Sequence, residues 1–225
     1  MYYTTLFFDL DDTLYPTQAG VWALIRQRMG AYMHERLGIP WEDVHRLRKL
    51  YLEKYGTTLR GLQQFYPVDV DDYLAYVHDV PLQEHLQPAP ELRPLLLSLP
   101  QTRWIFTNAD TNHARRVLEA LELEGCFHGI IDIRALDFQC KPDRAAYLRC
   151  LELAGESVPA QCVFIDDSPR NLISARELGF KTVLVNEQSN AEAADVTITR
   201  LLDLRQAMPE LWINGNQAPD LGKAL

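Results

Sequence analysis

The sequence predicts an α/β fold: a parallel sheet covered by crossover helices, with an all-helical segment inserted into it. Three observations carry this. From about residue 91 onward, short apolar runs alternate with helical stretches, the pattern of strand, helix, strand units. Between about Pro16 and Pro90 that rhythm stops, with no convincing strand and apolar residues at helical spacing. Four polar segments each close an apolar run or open a helix, where strand ends of one sheet converge: Asp9-Leu10-Asp11-Asp12-Thr13, Thr107-Asn108, Cys140-Lys141-Pro142-Asp143 and Asp166-Asp167-Ser168.

Taken in order, Thr5 to Leu10 is the first strand, cut off from its neighbours by the insert. Within the insert Val21, Leu24, Ile25, Met29 and Tyr32 recur near helical spacing, as do Val44, Leu47, Leu50 and Tyr51. Pro16 on one side and Pro81, Pro88 and Pro90 on the other mark where the connections leave and re-enter the sheet. Further strands are expected at Arg103 to Thr107, Gly129 to Ile133, Cys162 to Asp166, Lys181 to Val185 and Val196 to Ile198. Between them Asp110 can cap a helix over Thr111 to Leu123, Pro142 opens one that stops at Gly155, and Ser168 with Pro169 starts one that Gly179 ends. The expected division is 1–15 with 91–212 as the α/β core, 16–90 as the helical cap, and 213–225 as a loose tail of coil composition.

Composition excludes several classes. The chain has 225 residues, 47% hydrophobic, enough for a good core. Against 31 Asp and Glu stand 22 Lys and Arg, and a net charge of -9 with no basic cluster argues against a nucleic-acid polymer as partner. No apolar stretch reaches the roughly 18 residues that span a bilayer, and no basic leader precedes the first strand, so neither membrane nor export is expected. Cys126, Cys140, Cys150 and Cys162 form no Cys-x-x-Cys pair, which fits a reducing cytoplasm better than a zinc site or a disulfide framework. A monomer is expected, with the cap able to contribute to a dimer.

Asp9 and Asp11 alternate on an extended segment, so both carboxylates can share a crevice beyond the strand's carboxyl end. A lone Asp there more often begins a loop or caps a helix. Asp9, Asp11, Asp166 and Asp167 together make an oxygen-ligand set suited to Mg²⁺. Lys141 offers an ammonium and Thr107 a hydroxyl to an anionic substrate.

This order of motifs resembles the haloacid dehalogenase (HAD) superfamily, across the whole sheet domain, and the resemblance implies its Rossmannoid core. It further implies that Asp9 is a nucleophile forming an aspartyl-phosphate, and that Asp11 is the acid and then the base. By the same resemblance Thr107 and Lys141 hold phosphoryl oxygens, while Asp166 and Asp167 anchor Mg²⁺. Dehalogenases of the superfamily lack the second acid, so Asp11 argues for phosphoryl chemistry on a small phosphorylated metabolite. The insert resembles the helical cap that selects the leaving group.

Leu14-Tyr15-Pro16, Gly20-Val21-Trp22, Tyr55 to Leu62, and Thr107-Asn108-Ala109-Asp110 look like the pyrimidine 5′-nucleotidase branch. That resemblance implies a nucleoside monophosphate as substrate; Asn108, and Thr58 and Arg60 from the polar Gly56-Thr57-Thr58-Leu59-Arg60-Gly61 turn with its two hydroxyls and guanidinium, are candidate contacts. Arg60 can equally be the solvated end of a helix-joining turn. Sugar phosphates or phosphoglycolate, a phosphomutase on the same core, and a non-catalytic binder are the alternatives. The mutase ranks low because the cap offers few cations near a pocket loop beyond Arg60. His78-Asp79 is read as surface or packing, Trp22, Trp41, Phe65 and Tyr66 as a small helical core, and His113 receives no role.

Overall fold

The computed structural model describes residues 2–186 and 192–213; the tail from 214 on lies outside the described residues. The first strand is β1 (Thr5–Phe8). Six helices follow without a strand: α1 (Val21–Glu35), α2 (Trp41–Tyr55), α3 (Thr58–Phe65), α4 (Val70–His78), α5 (Leu82–His85) and α6 (Leu92–Leu97). Then come β2 (Thr102–Phe106), α7 (Thr111–Ala120), β3 (Gly129–Ile131), α8 (Arg144–Ala154), β4 (Cys162–Asp166), α9 (Pro169–Glu177), β5 (Lys181–Val185), β6 (Val196–Ile198), α10 (Leu204–Ala207) and α11 (Glu210–Ile213). The strands form one all-parallel sheet in the order β3-β2-β1-β4-β5-β6.

Strand β1 is central because both of its faces are apolar. Leu6 and Phe8 point into one core with Ile105, Val163 and Ile165, under α5, α6, α7, α10 and α11. Phe7 points into the other with Phe106, Phe164 and residues of α8 and α9. Period-two alternation thus fills two layers from one strand. The chain runs outward from β1 to β2 and β3, then crosses back to β4, so the order reverses at β1; ligands of open parallel sheets bind in the crevice at such a point.

The cap has its own core of Tyr32, Met33, Ile39, Val44, Tyr51, Leu59, Leu62, Tyr73, Leu74 and Val77, joined by Ile133 and Cys140 from the sheet side. Two glycines set its closest approaches. A Cβ on Gly61 would stand 2.2 Å from the Tyr51 ring, so α2 and α3 pack here only without a side chain. Gly56, at φ +85°, passes so near Cys140 that a Cβ would lie 2.6 Å from Sγ. Leu50, expected in the apolar stripe, is exposed instead. The expected helix ends also shift: α7 stops at Ala120 and α8 starts at Arg144, two residues after the cis Lys141-Pro142 peptide. No helix among the described residues is long and apolar enough to cross a membrane.

Candidate active site

Because β1 pairs with both β2 and β4, the ends of these three strands deliver Asp9, Thr107 and Asp166 side by side. Lys141 enters between them. Its side chain is 1% exposed, and its ammonium donates to Asp9 Oδ1 at 2.7 Å, Asp166 Oδ2 at 2.8 Å and the Phe106 carbonyl at 2.8 Å. An ammonium has three protons, and all three are engaged. Phe106 and Phe164 wall it in, with ring centroids 5.1 and 5.2 Å from Nζ. Burial alone would push its pKa down, but Asp166 and Asp9 outweigh burial and raise it. Lys141 is therefore a permanent counter-charge, with no N–H to spare for a substrate in this arrangement.

Asn108 fixes this lysine from behind. Its amide donates to the Lys141 carbonyl at 3.0 Å and accepts from the Lys141 N–H at 2.9 Å. The sequence suggested a substrate contact; the side chain is committed to the backbone of the lysine segment. Thr107 is buried, and its Oγ1 accepts from the Ala109 N–H at 3.0 Å, which leaves the hydroxyl proton available.

The carboxylates divide into two environments. Single oxygens of Asp9, Asp166 and Asp167 all lie within 4.8 Å of one another. Asp166 is saturated: it accepts from Lys141, from the Ser168 N–H at 2.8 Å and from the Asn171 amide at 3.1 Å. The Asp167 carboxylate makes no hydrogen bond among the described residues and lines the cavity. Burial, and then Asp166 and Asp9, push its pKa up to about 9. Asp9 is pushed up to about 7, by burial first and against the pull of Lys141. Nearby Asp12, held at φ 60°, keeps a buried Oδ1 with no partner. Acids that raise one another this way cannot all ionise alone. A hard divalent cation fits an all-oxygen set of this kind, with Asp9 and Asp167 open to hold it and Asp166 supporting.

Asp11 departs from the expectation that its carboxylate joins this set. It accepts from the Tyr15 hydroxyl at 2.5 Å and from His113 Nε2 at 2.8 Å. Burial would raise its pKa, but His113 and Tyr15 more than reverse that and lower it. The His113 ring stacks on His78, with centroids 4.4 Å apart and planes 17° from parallel. His78 Nδ1 lies 3.3 Å from Asp110 Oδ1, without the alignment of a hydrogen bond. Both imidazoles are buried, so neither belongs to the surface. Sequence reading passed over His113, although it stands third in a helix that opens just after Thr107, with its N–H on the capping Asp110 at 2.9 Å.

Above these acids lies a cavity of about 780 Å³, bounded by the strand ends and by α1, α2, α3 and α4. Thr58 and Trp22 line it. Arg60 is neither solvated nor free: it pairs with Asp143 and donates to Cys140 Sγ at 3.1 Å, tying α3 to the lysine segment. The expectation of few cations in the cap fails, because Arg26, Arg48 and Lys49 also face the cavity.

Parallel strands that converge acids and a buried lysine at a switch point, under a helical roof, define a capped α/β enzyme. The chain belongs to the haloacid dehalogenase-like hydrolases, whose family model matches residues 3–213. It is 32% identical over 192 residues, 79% of its length, to Phosphate metabolism protein 8 of Saccharomyces cerevisiae, and it spans 60% of that protein. Among solved structures it resembles a HAD phosphatase from Thermococcus onnurineus (TM-score 0.62, 20% identity, 90% of this chain and 96% of that one). It also resembles the HAD-hydrolase YfnB from Bacillus subtilis, solved bound to magnesium (0.61, 20%, 92% and 98%). An L-2-haloacid dehalogenase from Xanthobacter autotrophicus gives 0.59 at 19% identity, covering 92% and 98%. At these identities the structural likeness shows the fold.

Proposed function

We propose that this hydrolase is a Mg²⁺-dependent phosphomonoesterase that works through an aspartyl-phosphate on Asp9, with a pyrimidine nucleoside 5′-monophosphate as substrate. The observation that carries the reaction is the separation of Asp9 from Asp11. One carboxylate sits in the cation set beside Lys141, and the other is turned out of it toward His113 and Tyr15. Two acids two residues apart with different surroundings can take different roles.

Asp9 attacks phosphorus, and the bond to the leaving oxygen breaks as that oxygen takes a proton relayed through Asp11 from the His113 Nε2–H bonded to it. Water then attacks the aspartyl-phosphate, gives its proton to Asp11, and frees Asp9. Lys141 holds Asp9 in line and offsets its charge, and the Thr107 hydroxyl donates to a phosphoryl oxygen. Mg²⁺ held by Asp9 and Asp167 would supply charge neutralisation to the phosphoryl oxygens and keep Asp9 ionised.

The relative named for phosphate metabolism and the phosphatase among the structural neighbours favour phosphoryl chemistry. The cavity volume suits a small metabolite, and Trp22 on its wall offers a face to a base. The test is phosphate release from UMP, CMP, AMP, sugar phosphates and phosphoglycolate, with Mg²⁺ and with EDTA. Asp9→Asn is expected to remain folded and lose on the order of 10⁴-fold or more in rate. Turnover by that variant removes the nucleophile assignment. Release from sugar phosphates alone removes the nucleotide.

A further inference from the structure

The roof of the cavity carries positive charge that the reaction at its floor does not use. Arg26 on α1 and His45, Arg48 and Lys49 on α2 line the same cavity as Asp9 and Asp167. On α2 these three sit at i, i+3 and i+4, one face of the helix, next to the stripe of Val44 and Tyr51 that packs the cap core. The carboxylates that line the cavity all belong to the floor. Lys49 shares its charge with Glu53 at 4.0 Å, but Arg26 and Arg48 form no ion pair among the described residues.

Arg48 Nε is buried with no hydrogen-bond partner, and so is the hydroxyl of Tyr73 on α4, which lines the same cavity. Burial lowers the pKa of Arg48, Tyr73 counters it, and the like charge of Arg26 lowers it again. Unmet donors and mutually repelling cations are both relieved by one thing, an anion between them. An uncharged nucleoside or sugar leaving group gives them nothing to meet.

We propose that the roof is a second anion subsite, in which Arg48 and Arg26, beside the Tyr73 hydroxyl, engage a phosphate or carboxylate carried on the leaving group. The natural substrate is then a doubly anionic phosphomonoester, a bisphosphate or a phosphorylated carboxylic acid. For its kinetic readout this rests on the phosphomonoesterase reading; it narrows the substrate to one whose leaving group carries a second anion, a nucleoside 5′-monophosphate with a further phosphate among them.

The experiment compares matched pairs: uridine 3′,5′-bisphosphate with UMP, fructose 1,6-bisphosphate with fructose 1-phosphate, and phosphoglycolate with ethyl phosphate. In at least one pair the doubly anionic member is expected to show kcat/KM about 10-fold or more above its partner, mostly through KM. Arg48→Gln should collapse that ratio toward one, and Arg48→Lys should recover part of it. Preference in the third pair alone identifies a carboxylate, and in the first two a phosphate. A ratio near one in every pair, or an Arg48→Gln loss equal for both members, overturns the subsite. If nothing releases phosphate, the phosphomonoesterase reading fails separately. The subsite is then decided by calorimetric titration of Asp9→Asn and of Asp9→Asn with Arg48→Gln against the same pairs. Tighter binding of the doubly anionic member that vanishes with Arg48 supports it; equal affinity overturns it.

Discussion

Floor and roof of the cavity are built on opposite terms. On the floor, every proton of Lys141 is bonded, both oxygens of Asp166 are taken, and Asp11 is held by two donors. On the roof, Arg26 and Arg48 form no ion pair among the described residues, Arg26 being drawn only by the charge of Asp12 across the cavity. The floor hangs from three adjacent parallel strands whose register leaves the side chains little freedom, while the roof uses the spare faces of helices whose other faces already pack the cap. Reaction geometry is thus fixed by backbone pairing, and selectivity is left to side chains that wait for a ligand.

If the floor is as tightly coupled as its bonds imply, removing its counter-charge should have the largest effect. Lys141→Met leaves Asp9 and Asp166 buried face to face, and should cost about 3–5 kcal/mol in urea unfolding as well as activity. A loss under about 1 kcal/mol would mean the floor is no more committed than the roof.

His113 sharpens the comparison within the floor. His113→Phe keeps a ring to stack on His78 but removes the donor to Asp11. With UMP, kcat should fall by about 10²- to 10³-fold with KM little changed. With p-nitrophenyl phosphate, whose leaving group needs no proton, the fall should be much smaller. Equal losses on both substrates would make His113 a packing residue only.

The raised carboxyls of Asp9, Asp12 and Asp167 give a pH test. Their folded pKa values, about 7, 6 and 9, lie above those of an unfolded Asp, so the folded state binds more protons between about pH 4 and 9. Their contribution to stability therefore falls as pH rises through that window. With EDTA, Tm should drop from pH 5 to pH 9, and the Mg²⁺-induced rise in Tm should be larger at pH 9. A Mg²⁺ shift equal at both ends would remove Asp9 and Asp167 from the cation set.

The smallest effect is expected where cap meets core. Arg60 and Asp143 are 28% and 43% exposed, so Arg60→Ala should cost no more than about 1 kcal/mol and leave KM for UMP unchanged. A KM rise of about 10-fold would return Arg60 to the substrate contacts.

The floor was legible because strand ends are announced by local pattern. An apolar run followed by Asp9, Thr107 or Asp166 declares both the strand and what hangs from it. His113 and Asn171 were not, because their value lies in contacts with Asp11, 102 residues away, and with Asp166 across a turn, neither written in periodicity. Asp11 was placed with Asp9 on the premise of a continuing strand. β1 ends at Phe8, so strict alternation does not carry on to Asp11, and its carboxylate meets Tyr15 and His113 while both acids still line one cavity. The roof was illegible for a further reason: an apolar stripe such as Val44 and Tyr51 says which face of α2 is buried, but not what the adjoining face overlooks.

The central position of β1 also governs how the molecule must assemble. Thr5 bonds to Thr102 across 97 residues, and Thr4 to Gln161 across 157, so neither edge of this strand can be closed by its sequence neighbours. During synthesis β1 emerges well before either partner, exposing apolar side chains on both faces, while α1 to α4 can already pack on one another through local contacts. The strand that carries Asp9 is thus made first in the sheet and gains its second edge only when β4 arrives.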